Sequence, residues 1–208
     1  MTLKALDPPT QALIALAAAI ATGDETAIEA RCADCAARAV PPIWIDELML
    51  QSVLVLGWPR ALTAARVWRQ SGPGSAGAVR SEDGSDYGRV AEWLERGERV
   101  CAEVYGDTYA ALRRNVRQLH PDLEAGMIVE GYGRILGRPG LDQPRRELCS
   151  VAQIAVLGAR RQLRAHLSGA LNVGASAAAV QQTLDLARPH LKEEEWSTAS
   201  TVWERVRP

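Results

Sequence analysis

The chain has 208 residues, 47% hydrophobic and 24% charged, with 24 basic against 25 acidic side chains. That length makes one medium domain or two small ones able to bury a sizeable core without staples, and the composition excludes disordered and fibrous classes. The near-neutral balance argues against a dedicated nucleic-acid binder. Thirty-four alanines and no phenylalanine favour closely packed helices over a β-sandwich, and arginine supplies 22 of the cations. Four cysteines are too few for a disulfide scaffold, and no cleavable export signal is legible, so a reducing cytoplasm is the expected compartment.

In chain order, the apolar run 12–21 is too short to span a bilayer, and no membrane partner is expected. It reads as a helix capped by Thr10, with Leu13, Leu16, Ala17 and Ile20 on one face and Gly23 ending it. Breaks at Gly23-Asp24, Pro41-Pro42 and Gly57-Trp58-Pro59 delimit two further helices, and a fourth covers 59–70. Residues 71–87, rich in Gly, Ser and Asp, read as a flexible linker. Beyond it, Val90, Trp93, Leu94, Val100, Cys101 and Val104 recur at helical spacing, and 108–119 forms a basic amphipathic helix stopped by His120-Pro121. A helix over 123–136 leads to the turn at Gly137-Arg138-Pro139-Gly140. Asp142 then caps a helix ending at Gly158, another runs from Arg160 to Val173, and Ser176 caps one more. No segment alternates with period two long enough to be a strand.

Sliding the chain by 134 residues pairs Ala18 with Ala152, Ile20 with Ile154 and Leu50 with Leu184, and brings the helix breaks into coincidence. A duplicated helical unit is therefore expected, over 10–70 and 144–204. The domain reading is a degenerate unit at 1–70, the linker at 71–87, and connecting helices plus the second unit at 88–208.

The stretch Gly131-Tyr132-Gly133, Gly137 to Asp142, Arg146-Glu147-Leu148, Gln162 to His166 and Gly169 to Gly174 resembles the carboxymuconolactone decarboxylase family. The first unit is similar to a decayed second copy. Together they resemble a tandem member of the alkylhydroperoxidase-like superfamily, which implies an all-α fold with two pseudo-repeated helical units. Single-unit relatives resemble hexamers, so the resemblance implies a homo-oligomer, with a trimer of tandem chains favoured.

Hairpin geometry independently marks two of these residues. If the helices before and after Gly158 run antiparallel, Glu147 lies about 16 Å before the turn and His166 about 12 Å after it. A carboxylate can then orient an imidazole across the hairpin for proton transfer; a buried structural ion pair is the competing reading. The superfamily's peroxidase pattern of a glutamate, Cys-x-x-Cys and a histidine keeps Glu147 and His166 here but has Ala159 and Gln162 where the thiols belong. Cys32-Ala33-Asp34-Cys35 supplies the dipeptide spacing elsewhere, and at the offset of 134 its cysteines fall opposite His166 and Gly169.

The leading expectation is an acid/base enzyme of the decarboxylase type, acting without metal or organic cofactor on a small carboxylated lactone or related organic acid. In it His166 moves the proton, Glu147 orients it, and Arg138 and Arg146 are candidates to grip a carboxylate by bidentate pairing. The alternatives are a thiol peroxidase using Cys32 and Cys35, and a non-catalytic helical assembly protein. His120, His166 and His190 lack ligand spacing, so no metal is expected, and no glycine-rich phosphate loop supports a nucleotide.

Overall fold

In the computed structural model, which describes Leu3 and residues 5–208, every regular element among the described residues is helical. The one β-type feature among them is an isolated bridge. There the Leu3 amide donates to Gly174 O (2.9 Å) and the Ser176 amide to Leu3 O (3.0 Å), strapping the start of the chain to a distant loop.

Helix α1 spans Pro8–Thr22 and is capped by Asp7, whose Oδ1 accepts from the Thr10 amide at 2.8 Å. The expected cap, Thr10, is thus inside the helix, because Pro8 and Pro9 fill the first turn, where a missing N–H costs nothing. Helix α2, Glu25–Ala37, is capped by Asp24. Helix α3, Pro42–Gln70, is long and apolar enough by composition to cross a membrane. It breaks at Gly57 (φ 72°, ψ 170°), a conformation open to glycine alone without strain, and Pro59 opens its second half.

The stretch 71–87 carries short 3-10 turns, and α3 holds it by polar contacts. The Val79 amide donates to Asp46 Oδ2 (2.6 Å) and the Ser81 hydroxyl to Glu47 Oε1 (2.5 Å). Glu82 in turn takes both terminal nitrogens of Arg96, at 2.7 and 2.8 Å.

Helices α4 (Val90–Tyr105), α5 (Tyr109–Leu119) and α6 (Pro121–Gly126) follow, and α6 runs into a π-helical segment, Met127–Leu136. The single α-helix expected over 123–136 is therefore replaced by a widened one. Its i→i+5 bonding puts Met127, the adjacent pair Gly131-Tyr132, and Leu136 on one side, each four to five residues from the next. This segment packs backbone to backbone on α4. A Cβ at Gly97 would lie 2.0 Å from Ile128 O, and one at Gly133 2.1 Å from Trp93 O.

The last four helices are α7 (Gln143–Val156), α8 (Arg160–Asn172), α9 (Ala177–Ala187) and α10 (Glu193–Val206). Asp142 and Ser176 cap α7 and α9 through the amides of Arg145 and Ala179. Element starts pair as Pro8 with Gln143, Glu25 with Arg160 and Pro42 with Ala177, an offset of 135 and not 134. The same offset matches the left-handed glycines Gly23 and Gly158 (φ 77° and 67°). It also matches two side-chain braces, Gln11 Nε2 to Leu6 O and Arg146 Nε to Leu141 O. Thr10 and Arg145 occupy equivalent positions and bond to each other (Nε to Oγ1, 2.8 Å), as residues beside a twofold axis do.

Helices α1 and α7 form the centre. Residues 12–21 and 144–155 are all buried, on every face of each helix, because alanines at 12, 15, 17–19, 21, 152 and 155 let neighbours approach closely.

Candidate functional site

Glu147 projects from the middle of α7 and His166 from the middle of α8, and the two meet across the hairpin with Nδ1 2.8 Å from Oε2. The carboxylate is buried, and the imidazole side chain keeps 15% of its surface exposed. Burial pulls the imidazole pKa down, but the charge and hydrogen bond of Glu147 outweigh it, so His166 holds its proton above the ordinary range. Gly169, one turn beyond His166, makes room for this contact, since a Cβ there would come within 2.9 Å of Glu147 Oε2 and 2.8 Å of Val104 Cγ1. Glu147 Oε1 is buried without a protein partner.

With Nδ1 occupied, Nε2 is the nitrogen left to serve the adjoining cleft of about 460 Å³, which His166 lines. Its walls come from α3 (Gln51, Leu54, Val55), the π-helical segment, and Ser150, one turn beyond Glu147 on α7. Tyr105 and Tyr132 close one side edge to face, with centroids 6.1 Å apart. Burial raises the Tyr105 pKa to about 12 and that of Tyr132 well above 10, so both are neutral phenols at physiological pH. Gln51, buried in the wall, is held on both sides of its amide: its nitrogen donates to Arg146 O (3.1 Å) and its oxygen accepts from Arg146 Nη1 (3.2 Å).

This pair lies within a stretch that matches a known family. The sequence matches the carboxymuconolactone decarboxylase family over residues 1–70 and 122–205. The chain belongs to that family. A comparison with curated proteins found no match. The two matched segments cover α1 to α3 and α6 to α10, which include both halves of the repeat, and the all-helical body is the alkylhydroperoxidase-like fold of the family.

In this family member the two arginines expected to grip a carboxylate lie elsewhere. Arg146 is fully buried and donates through Nη2 to Glu47 Oε2 (2.8 Å) and Arg138 O (3.1 Å). Arg138, also buried, places Nε 3.2 Å from both oxygens of the same glutamate. A desolvated guanidinium requires a counter-ion, and Glu47 provides one for both. Neither arginine lines the His166 cleft, whose ionisable lining groups are Asp122, His166 and the two tyrosines.

No cysteine lines that cleft either. Cys32 and Cys35 are buried free thiols; burial raises the Cys32 pKa to about 11 and that of Cys35 higher still. At the offset of 135 they stand opposite Leu167 and Ala170, both fully buried core positions, and Arg31 stands opposite His166. The pairing with His166 and Gly169 expected from the sequence is thus corrected by one residue. Cys101 and Cys149 are likewise buried free thiols.

Proposed function

We propose that this protein is an acid/base catalyst of the carboxymuconolactone decarboxylase type, with His166 as the proton-transfer group and Glu147 as the residue that sets its tautomer and charge. The observation that carries the reading is the 2.8 Å Glu147–His166 contact at the wall of a largely apolar cleft. The substrate class it suits is a small organic acid or carboxylated lactone with an apolar body. Leu54, Val55, Met127 and Leu136 receive that body, and Ser150 and Gln51 offer polar groups beside the imidazole.

An apolar wall without a guanidinium favours loss of a carboxylate as neutral carbon dioxide over its retention as an anion. In that step the bond from carbon to the carboxylate breaks and its electron pair passes into the conjugated carbonyl. His166 Nε2–H then delivers a proton to carbon and recovers one from solvent. The thiol-peroxidase alternative has no observation in its favour, since buried thiols held protonated supply no nucleophile.

A panel of small carboxylated lactones and unsaturated acids, incubated with the protein in deuterated water and followed by proton NMR, tests the proposal whatever product forms. Exchange or decarboxylation should occur with the wild type and fall by about 10²- to 10⁴-fold in His166→Gln. Equal rates in the two proteins, or none on any member while the fold stays intact, would leave the non-catalytic reading standing.

A further inference from the structure

A second cleft, of about 440 Å³, opens between the start of α8 and the end of α10, and its lining is Arg160, Arg161, Arg164, Arg205 and Val202. All four arginines are exposed and, among the described residues, none of their side chains makes an ion pair, a hydrogen bond or a ring contact. This is unusual in a chain whose arginines are otherwise nearly all engaged, Arg114 being the one further exception among the described residues. The carboxylates of α10 do not answer them. Glu193 pairs with Arg188 (2.5 Å), Glu195 accepts the Lys192 amide (2.7 Å), and Glu204 pairs with Arg207 (2.6 Å).

The placement also works against the fold. Three of the arginines lie in the first five residues of α8, a helix with no acidic residue in its first turn and no side-chain cap on Ala159. Cations at the positive end of a helix dipole, next to one another, raise the energy of the empty protein. A multiply charged anion would remove both penalties together.

We infer that this cleft is a binding site for a small phosphorylated molecule carrying at least two phosphoryl charges. Guanidinium forks match phosphate oxygens in bidentate geometry, and four of them exceed what a single carboxylate can use. Arg160 also borders an adjoining shallow cleft that presents Ser197, Thr198 and Thr201, hydroxyls suited to the uncharged remainder of such a ligand. The site is separate from the His166 cleft, with which it shares no lining residue.

Calorimetry on the full chain at low salt, with inorganic pyrophosphate and then citrate as probes, tests the assignment. Pyrophosphate should bind one per chain and raise the melting temperature. Arg161→Gln/Arg164→Gln should weaken it about tenfold or more, and His166→Gln should not change it. Without ligand, the double variant should melt no lower than wild type, since its repulsion is relieved. Three results would overturn the inference: no pyrophosphate binding below about 10 mM, equal binding to wild type and double variant, or citrate binding as tightly as pyrophosphate. A smaller oligomer for the double variant in light scattering would also overturn it, by making the patch a contact between copies.

Discussion

At the scale of single residues, the pairing of His166 with Glu147 fixes a sign that titration can read. The folded-state pKa of His166 is raised, so its contribution to stability is fully present below the unfolded value near 6.5 and is lost as pH climbs through the folded value. Glu147→Gln removes the two influences that raise it and leaves burial, which lowers it. The NMR midpoint of His166 should therefore move from above about 6.5 to below it, and the pH dependence of the melting temperature contributed by this residue should reverse. An unchanged midpoint would mean that the carboxylate does not govern the imidazole. The thiols offer a second residue-scale test. All four cysteines are at most 1% exposed, so a disulfide reagent should label none of them in the native protein and all four in denaturant. Cys32→Ser/Cys35→Ser should leave any peroxide consumption unchanged.

At the scale of elements, the tightest constraints are the places where one helix meets another without a side chain between them. Gly97→Ala or Gly133→Ala would drive a methyl group into a backbone carbonyl of the facing element, and urea melts should show a loss of about 3 kcal/mol for either. Gly169→Ala meets the ends of two side chains, which can give way, so its cost should be smaller, about 1 to 2 kcal/mol. Its more telling effect should be a lower His166 midpoint as Glu147 is pushed aside. Much at this scale was legible in the sequence, because caps and stops are local chemistry: Asp142 and Ser176 announce helix starts, and Gly23 and Gly158 announce ends. The π-helical segment was not legible, since its apolar spacing passes for an ordinary helix and its surroundings are set by α4.

At the scale of the whole molecule, legibility follows sequence distance. Glu147 and His166 could be paired on paper because a single turn separates their helices. The fate of Arg138 and Arg146 could not, because the glutamate that takes both lies 91 and 99 residues away on α3. The tyrosines of the cleft were hidden for the same reason, carried in on α4 and the π-helical segment from outside the hairpin. Self-association also belongs here. Trp58 and Leu62, one turn apart on the second half of α3, are 61% and 59% exposed, and light scattering at micromolar concentration should report a multiple of 22.5 kDa, with a trimer expected. Trp58→Glu should reduce the measured mass if that face is the contact. The central position of α1 has a consequence for synthesis. Its main partner, α7, is made more than a hundred residues later, an interval of about 7 to 25 s at ribosomal speed. Throughout that time an alanine-rich apolar helix must wait without its mate, so nascent chains stalled before residue 143 should recruit chaperones or aggregate, whereas those extended past 172 and clear of the exit tunnel should become protease-resistant.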